Sequence, residues 1–114
     1  HYEQALAIRR EVGDRRGEAA TLNNIAGVYH ALGQREKALT SYEQALAVVR
    51  EEGDRFGESA TLFNIGFVLD QLGRTAEAVS YLEQSIALGE ALGRPDLDSD
   101  RAFLDRVRRK LMGN

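Results

Sequence analysis

Residues 51–66 read EEGDRFGESATLFNIG, and residues 11–26, forty positions earlier, read EVGDRRGEAATLNNIA. Both segments carry Gly-Asp-Arg, then a second glycine followed by glutamate, then Ala-Thr-Leu and, one residue later, Asn-Ile. When residues 2–41 are placed over residues 42–81 without a gap, 22 of the 40 positions are identical. Chance similarity of composition would not hold two glycines and an asparagine at one spacing, so the chain is built from an internal repeat.

Apolar residues within each repeat follow the spacing of an amphipathic helix. Leu22, Ile25, Ala26 and Tyr29 lie at intervals of three and four residues, and the one proline, Pro95, comes late in the chain. The alternation with a period of two that would indicate strands is not sustained anywhere in the sequence. The sequence therefore predicts an all-α chain of six helices, over about 2–12, 15–32, 35–52, 55–72, 75–92 and 97–112.

Glycine and aspartate residues mark the predicted helix ends. Asp14 and Asp54 each follow a glycine and are suited to cap the N-terminus of the next helix. Gly17 and Gly57 have no side chain, and we expect them to let successive helices pass closely. The first four predicted helix stops each carry a glycine that suits the left-handed conformation, namely Gly13, Gly33, Gly53 and Gly73.

These residues resemble the tetratricopeptide repeat, whose pattern is Trp-x2-Leu-Gly-x2-Tyr followed by Ala-x3-Phe. The segment from Leu22 to Tyr29 matches the first half, with Leu in place of Trp and Ala in place of Gly, and Ala38-x3-Tyr42 matches the second half. The period of 40 residues, rather than the usual ~34, is similar to that of kinesin light chains, LGN/Rapsyn-type adaptors and bacterial multi-repeat proteins. The resemblance implies a right-handed α-solenoid of antiparallel helix pairs.

The resemblance also implies a single domain, made of four parts. Phe103, Leu104, Val107 and Leu111 form an apolar stripe in the last part, whose other residues are mostly charged, so we expect a capping helix there. The chain opens on His1 with a helical pattern already running, so we expect a cut N-terminal end with open apolar surface. The parts are the second helix of a truncated repeat (1–13), two repeats (14–53 and 54–93) and the capping segment (94–114).

In this family the first helix of each repeat lines a concave face, where a peptide or a partner helix binds. The resemblance implies that Asn24 and Asn64 hold the ligand's backbone, because one amide offers both an acceptor and a donor. The alternative is that both bond the backbone of an adjacent helix. Their counterpart in the third copy of the repeat is Leu104, so the series of asparagines ends at Asn64. The predicted groove residues are Asn23, Asn24, Gly27, His30, Phe63, Asn64, Phe67, Asp70 and Gln71.

The other groove side chains permit two interpretations each. Phe63 and Phe67 lie one helical turn apart, and they either anchor an apolar residue of the ligand or pack against the next repeat. His30 either titrates near neutral pH or is simply solvated, and Asp70 is expected to give the second repeat an acidic rim. The groove positions contain no pair of Lys or Arg residues, so the clamp for two carboxylates found in chaperone-binding relatives is not expected.

Composition argues against several function classes. The net charge of −3 is unlike that of a nucleic-acid-binding surface, and no apolar run approaches the ~18 residues of a membrane span. The chain has no cysteine, no metal-ligand spacing and no phosphate-binding loop, so we expect neither catalysis nor a cofactor. A chain without cysteine suits a reducing compartment, and we expect a cytoplasmic protein.

The sequence therefore predicts a protein–protein interaction module, a scaffold or adaptor that binds a peptide or a partner helix in its groove. Two alternatives stay open at this point. The chain is either a structural segment of a longer array with no ligand of its own, or a self-association module that forms a homo-oligomer through the open N-terminal end.

Overall fold

The structure is a computed structural model that describes residues 15–113. Five α-helices follow one another in this range, and no strand occurs between its first and last residue, which confirms the all-α prediction there. Each helix begins and ends within one residue of its predicted bounds. The sixth predicted helix, over 2–12, lies outside the described residues, as does the open N-terminal surface expected around it. The helices are α1 (Arg15–Ala31), α2 (Arg35–Glu52), α3 (Arg55–Gln71), α4 (Thr75–Ala91) and α5 (Asp98–Leu111).

Neighbouring helices pack in chain order. α1 packs on α2, α2 on α3, α3 on α4 and α4 on α5. Residues 32–34, 53–54 and 72–74 are the short connections between the first four helices, and connections of this length make consecutive helices antiparallel. The predicted helix pairs are therefore α1 with α2 and α3 with α4, and α5 packs at the C-terminal end of the stack.

Each described helix is followed within two residues by a glycine in the left-handed conformation. After α1, the Gly33 N–H donates to the His30 carbonyl at 3.0 Å and the Gln34 N–H donates to the Tyr29 carbonyl at 2.8 Å, which is the pattern of a Schellman motif. The predicted role of Gly13 lies outside the described residues, whereas the other three predicted glycines are confirmed. The full series, at intervals of 20 residues with φ between 70 and 83°, is Gly33, Gly53, Gly73, Gly93 and Gly113.

The start of α3 is capped as predicted. The Gly57 N–H donates to Asp54 Oδ1 at 2.9 Å, which confirms the capping role of Asp54, while Asp14 lies outside the described residues. A Cβ atom on Gly57 would lie 2.8 Å from Asp54 Cγ and 3.1 Å from Val49 Cγ1 of α2. Glycine at this position therefore allows both the capping side chain and the preceding helix to approach α3 closely.

The core is a continuous spine of small and branched apolar side chains shared by the helices. Leu22 and Leu62, which are 40 residues apart in the repeat, are each only 2% exposed. Corresponding positions of the two repeats therefore have the same structural role, as the repeat pattern predicted. The buried members of the two repeats include Leu22, Ala26, Ala38, Leu46, Leu62, Ile65, Ala78, Leu82 and Ile86.

The last helix, α5, does not keep the 40-residue register. Leu104 and Val107 are buried, and they lie 42 residues after the buried Leu62 and Ile65. Ala102, which follows Leu62 by 40 residues, is exposed. The apolar face of α5 is therefore displaced by two residues relative to the repeat, which changes the side chains that α5 presents beside α3.

This displacement corrects two expectations about the capping segment. Residues 92–97 connect α4 to α5, a longer connection than the two residues between α2 and α3. Leu104 therefore takes the core position of Leu62 rather than the surface position of Asn64. The predicted apolar stripe is confirmed for Leu104 and Val107, but Leu111 is 51% exposed because the helix ends there beyond the shared core.

A buried polar cluster joins α3 to α4. Ser59 Oγ donates to the Ser85 carbonyl at 2.9 Å, and Ser85 Oγ donates to the Ser59 carbonyl at 2.7 Å. Arg94 Nη1 donates to Ser59 Oγ at 3.0 Å and its other terminal nitrogen lies 3.7 Å from the carboxylate of Asp100. Burial raises the pKa of the Asp100 carboxyl above its usual value, although the Arg94 guanidinium acts in the opposite direction.

The two serines should differ in their contribution to stability. The first repeat carries Ala19 and Ala45 at the equivalent positions, so alanine fits this environment. We expect Ser85→Ala to lower the free energy of unfolding by about 1 kcal/mol. We expect Ser59→Ala to cost about 2 kcal/mol, because it also removes the acceptor that Arg94 uses. Urea denaturation measures both values, and equal losses in the two variants would contradict the structural role given to Arg94.

Candidate functional site

All nine predicted groove residues lie on α1 and α3, and residues of α5 contact three of them, Phe63, Phe67 and Asp70. We call this surface the α1/α3/α5 face and define it by those nine residues together with Phe103, Arg106 and Lys110 of α5. Three of the nine residues are exposed and six are partly buried. The exposed residues are Asn24, Gly27 and Gln71, and the partly buried ones are Asn23, His30, Phe63, Asn64, Phe67 and Asp70.

A row of rings crosses this face from α1 to α5. The ring centroids of His30 and Phe67 are 5.4 Å apart, and those of Phe67 and Phe103 are 5.6 Å apart. Phe63 also reaches Phe103, at 5.7 Å. The two predicted aromatics therefore pack against α5, which follows the second repeat, in line with the packing interpretation, and each keeps part of its surface exposed. Sequence reasoning placed Phe103 only in the capping stripe, because the displaced register of α5 gives no signal in the sequence that would bring this ring beside Phe63 and Phe67.

The charges at the α5 side of the face are engaged with other groups. Lys110 Nζ donates to both carboxylate oxygens of Asp70, at 3.0 and 3.2 Å. The Asp70 side chain is only 5% exposed, whereas that of Lys110 is 57% exposed. Arg106 lies over the Phe103 ring, 5.5 Å from its centroid. The predicted acidic rim at Asp70 is therefore wrong, because α5 covers and neutralises this carboxylate.

The two central asparagines have no protein partner in the part of the chain that the structure describes. Asn24 is exposed and Asn64 is partly buried. Neither amide forms a hydrogen bond with residues 15–113, so the alternative in which both bond an adjacent helix finds no support within this range. Both amides keep a donor and an acceptor for another molecule.

Two further polar atoms on α1 are covered yet unpaired. Asn23 Nδ2 donates to the Ala19 carbonyl at 3.1 Å, but Asn23 Oδ1 is buried and lacks a partner among the described residues. His30 Nε2 is likewise buried and unpaired within this part of the chain. His30 is therefore packed against Phe67 rather than fully solvated. Buried polar atoms without partners are uncommon in folded proteins, and each one calls for an explanation.

Gly27 leaves an open space in the middle of α1. A Cβ atom at this position would meet nothing within 4 Å, and the residue is exposed. A glycine inside a helix is less favourable than alanine by about 0.5–1 kcal/mol. No contact around Gly27 therefore requires a glycine there.

Two open depressions of the surface are lined by residues outside this face, whereas a third is lined in part by Gln71. One, of about 450 Å³, is lined in part by Leu22, Ile25 and Tyr29 between α1 and α2. Another, of about 460 Å³, lies between α4 and α5. It is bordered by the ion pairs Arg101–Glu90 and Arg108–Glu83, each 2.8 Å long. The hydrogen bonds with these glutamates raise the pKa of both guanidinium groups, which are exposed.

The described residues include no candidate metal cluster and no helix that could span a membrane. No group of three or more His, Cys, Asp or Glu side chains is placed to hold a metal ion between residues 15 and 113. Over the same range, no helix has both the length and the apolar character needed to cross a membrane.

Comparison with protein families matches two overlapping segments of the chain to a model described as the tetratricopeptide repeat. The model matches residues 1–51 and 17–91, which together cover more than half of the chain. The second match spans both described helix pairs. A search of curated proteins gives no significant match.

Comparison with solved structures supports the architecture. The crystal structure of nearly identical TPR-like repeats, from a Podosopora anserina protein assigned as a kinesin light chain, superposes with a TM-score of 0.79 at 23% sequence identity. The alignment covers 93% of this chain and 54% of the other. A crystal structure of a variant of those repeats matches with the same score and identity, and with 53% of its chain covered. The present chain thus spans about half the length of these structures, and the likeness confirms the helical solenoid fold.

Proposed function

The chain belongs to the tetratricopeptide repeat family, and we propose that it is a scaffold that binds a peptide or a partner helix across the α1/α3/α5 face. Tetratricopeptide repeats generally form non-enzymatic scaffolds for protein partners. The observation that carries the proposal is the pair of free amides, Asn24 and Asn64, which occupy equivalent positions of successive repeats and make no hydrogen bond with residues 15–113. A peptide backbone carries the complementary donors and acceptors.

The aromatic row supports the same location. The rings of Phe63 and Phe67 keep part of their surface exposed after packing against Phe103. Partly exposed aromatic side chains next to free amides combine apolar contact with hydrogen bonding, and this combination is enriched at protein interfaces. Peptide recognition of this kind takes affinity from the backbone contacts and specificity from the adjacent side-chain sites.

The proposal also covers the domain organisation of the chain, the activities it lacks and its location. We propose one domain over 1–114, with the second helix of a repeat over 1–13, repeats over 14–53 and 54–93, and a capping segment over 94–114. In this proposal the chain has no catalytic activity and no cofactor, and it binds neither nucleic acid nor membranes. A cytoplasmic location agrees with the absence of cysteine from the sequence.

The amide prediction can be tested with selected peptides. A display library of short random linear peptides is panned against the protein, and each recovered peptide is measured by calorimetry against Asn24→Ala, Asn64→Ala and the double variant. We expect each single substitution to weaken binding by roughly 3- to 10-fold, because each removes hydrogen bonds worth about 0.5–1.5 kcal/mol. Asn24 is exposed and forms no hydrogen bond with residues 15–113, so its replacement should leave the fold intact.

A matched control is provided by Gln44, an exposed amide on α2 that lies away from this face. Gln44→Ala should bind the same peptides with unchanged affinity. If the double variant of Asn24 and Asn64 retains full affinity for every recovered peptide, the peptide site is elsewhere. If no peptide can be recovered at all, the proposed function itself fails.

A further inference from the structure

We propose that the depression between α1 and α2 is a second docking site, which takes one tyrosine side chain from a partner protein. We call it the α1/α2 depression; Leu22, Ile25, Tyr29 and Ser41 are among the residues that line it. Its volume is about 450 Å³, which lies within the ~300–1,000 Å³ that is typical of ligand sites. None of these four residues belongs to the α1/α3/α5 face, so a ligand bound here leaves that face free.

The first observation is that the Ser41 hydroxyl is a covered polar group without a partner. Ser41 is only 6% exposed and lines the depression. Its hydroxyl forms no hydrogen bond with residues 15–113. The neighbouring Thr40 differs, because its hydroxyl donates to the Glu36 carbonyl at 3.2 Å. Since covered polar groups in folded proteins are nearly always paired, an unpaired hydroxyl in a depression suits a ligand group that can form a hydrogen bond.

The second observation is the side chain that the second repeat carries at the same position. Tyr81 lies 40 residues after Ser41, so α4 has a phenol ring where α2 has only a hydroxymethyl group. Tyr81 is partly buried and packs against the core. Corresponding positions of a repeat have the same place in its helix pair. The depression beside Ser41 therefore corresponds to space that the second repeat fills with its own tyrosine.

The third observation is that the apolar floor of the depression is less covered than the matching surface of the second repeat. Ile25 is 8% exposed and Tyr29 is partly exposed. The equivalent residues, Ile65 and Leu69, are only 0% and 1% exposed. An aromatic ring bound in the depression would remove this apolar surface from water, and its contact with the Tyr29 ring would favour an offset or edge-to-face arrangement.

The rim of the depression favours an uncharged ligand group. Glu36 and Lys37 are the charged residues among the described ones that line it, and their charges cancel. Lys37 Nζ already lies over the Tyr29 ring, 5.7 Å from its centroid. Tyrosine combines an aromatic body with a hydroxyl that needs a partner when it is buried, and the Ser41 hydroxyl can both donate and accept. Tyrosine is also enriched at protein interfaces, which makes a protein partner its source.

The test compares the capped peptide Ac-Gly-Gly-Tyr-Gly-Gly-NH2 with its phenylalanine counterpart by NMR titration of the protein. We expect the tyrosine peptide to bind with a Kd of about 1 mM and to shift the amide signals of Leu22, Tyr29 and Ser41. The phenylalanine peptide should bind roughly 3- to 10-fold more weakly, because it cannot pair with the Ser41 hydroxyl. Ser41→Ala should remove this difference between the two peptides.

Variants that fill the depression test its location. Ser41→Tyr should abolish binding of the tyrosine peptide, because the protein's own ring then occupies the space. The double variant Tyr29→Leu with Ser41→Tyr copies the pair Leu69 and Tyr81 of the second repeat, which avoids overpacking two rings. It should also lose binding, while its Tm stays within about 5 °C of the unchanged protein. Ala47→Tyr is the matched control, since it adds the same ring at an exposed position of α2 outside the depression, and it should bind normally.

Several results would overturn this docking site. One is unchanged affinity of the tyrosine peptide for the double variant, and another is no binding of either peptide up to about 10 mM. Binding of p-cresol without binding of the tyrosine peptide would assign the depression to free phenols instead of a protein partner. Self-association of the protein that Ser41→Tyr abolishes, measured by sedimentation, would assign it to a second copy of this chain. None of these results would affect the function proposed for the α1/α3/α5 face.

Discussion

Leu82→Ala should lower the free energy of unfolding by about 2 to 5 kcal/mol. The Leu82 side chain is fully buried on α4 and lies directly over Gly66 of α3. Its removal leaves a cavity in the middle of the second helix pair, beside Gly66, which has no side chain to fill it. Since a small domain is stable by only about 5–15 kcal/mol, this one substitution should remove a large share of the total stability.

For the same pair of residues, we expect the effect of Gly66→Ala on stability to change sign when Leu82 is replaced by alanine. A Cβ atom on Gly66 would lie 2.7 Å from Leu82 Cγ and 3.3 Å from the Ala78 carbonyl oxygen. Gly66→Ala should therefore destabilise the otherwise unchanged protein by about 1 to 3 kcal/mol, because the added methyl group overpacks the contact. In the Leu82→Ala background the same methyl group enters the cavity, and alanine also favours the helix, so Gly66→Ala should become stabilising.

Chemical denaturation of the two single variants and the double variant measures this coupling. Leu32→Ala is the matched control, because Leu32 is 65% exposed and its truncation should change stability by less than ~0.5 kcal/mol. Additive effects of Gly66→Ala and Leu82→Ala, with no change of sign, would show that α3 and α4 are not in the close contact described here.

The helices could be predicted from the sequence almost to the residue because local chemistry determines their ends. Gly33, Gly53 and Gly73 stop the helices in a conformation that other residues adopt only with strain, and Asp54 caps the next start with its own carboxylate. These are short-range effects, and the 40-residue repeat shows each of them more than once. The displacement of α5 could not be predicted in this way, because the repeat pattern weakens after Gly93 and the longer connection has no counterpart earlier in the chain.

The candidate site was only partly predictable for a related reason. Helical pitch predicts Asn24, Gly27 and Phe67 on one surface, and the contact that the structure shows there between α1 and α3 is the one between the His30 and Phe67 rings. The partners that come from α5 depend on the tertiary packing of a displaced helix. Sequence reasoning therefore missed Phe103 in the aromatic row and left Asp70 as an exposed acid.

The second large loss of stability is expected when the ion pair between Asp70 and Lys110 is broken. The carboxylate is 5% exposed and the ammonium group is 57% exposed, with 3.0 Å between Nζ and Oδ1. Lys110→Met should cost about 2 to 3 kcal/mol, since it leaves a covered carboxylate without its cation. This value lies below the loss typical of a fully buried pair because water reaches the lysine side. Asp70→Asn should cost less, as a neutral amide is easier to leave unpaired than a charge.

Lys110 also lies in the last turn of α5, where a positive charge interacts favourably with the helix dipole. Arg109→Met removes a charge from the same turn without breaking an ion pair between described residues, and it should cost about 0.3 to 1 kcal/mol. The stability loss of Lys110→Met minus that of Arg109→Met gives the contribution of the ion pair with Asp70. The double variant Asp70→Asn with Lys110→Met should be more stable than Lys110→Met alone, because the uncompensated charge is gone. Equal stabilities of Lys110→Met and Arg109→Met in thermal and urea denaturation would mean that the Asp70–Lys110 ion pair contributes nothing beyond the interaction of the lysine charge with the helix dipole.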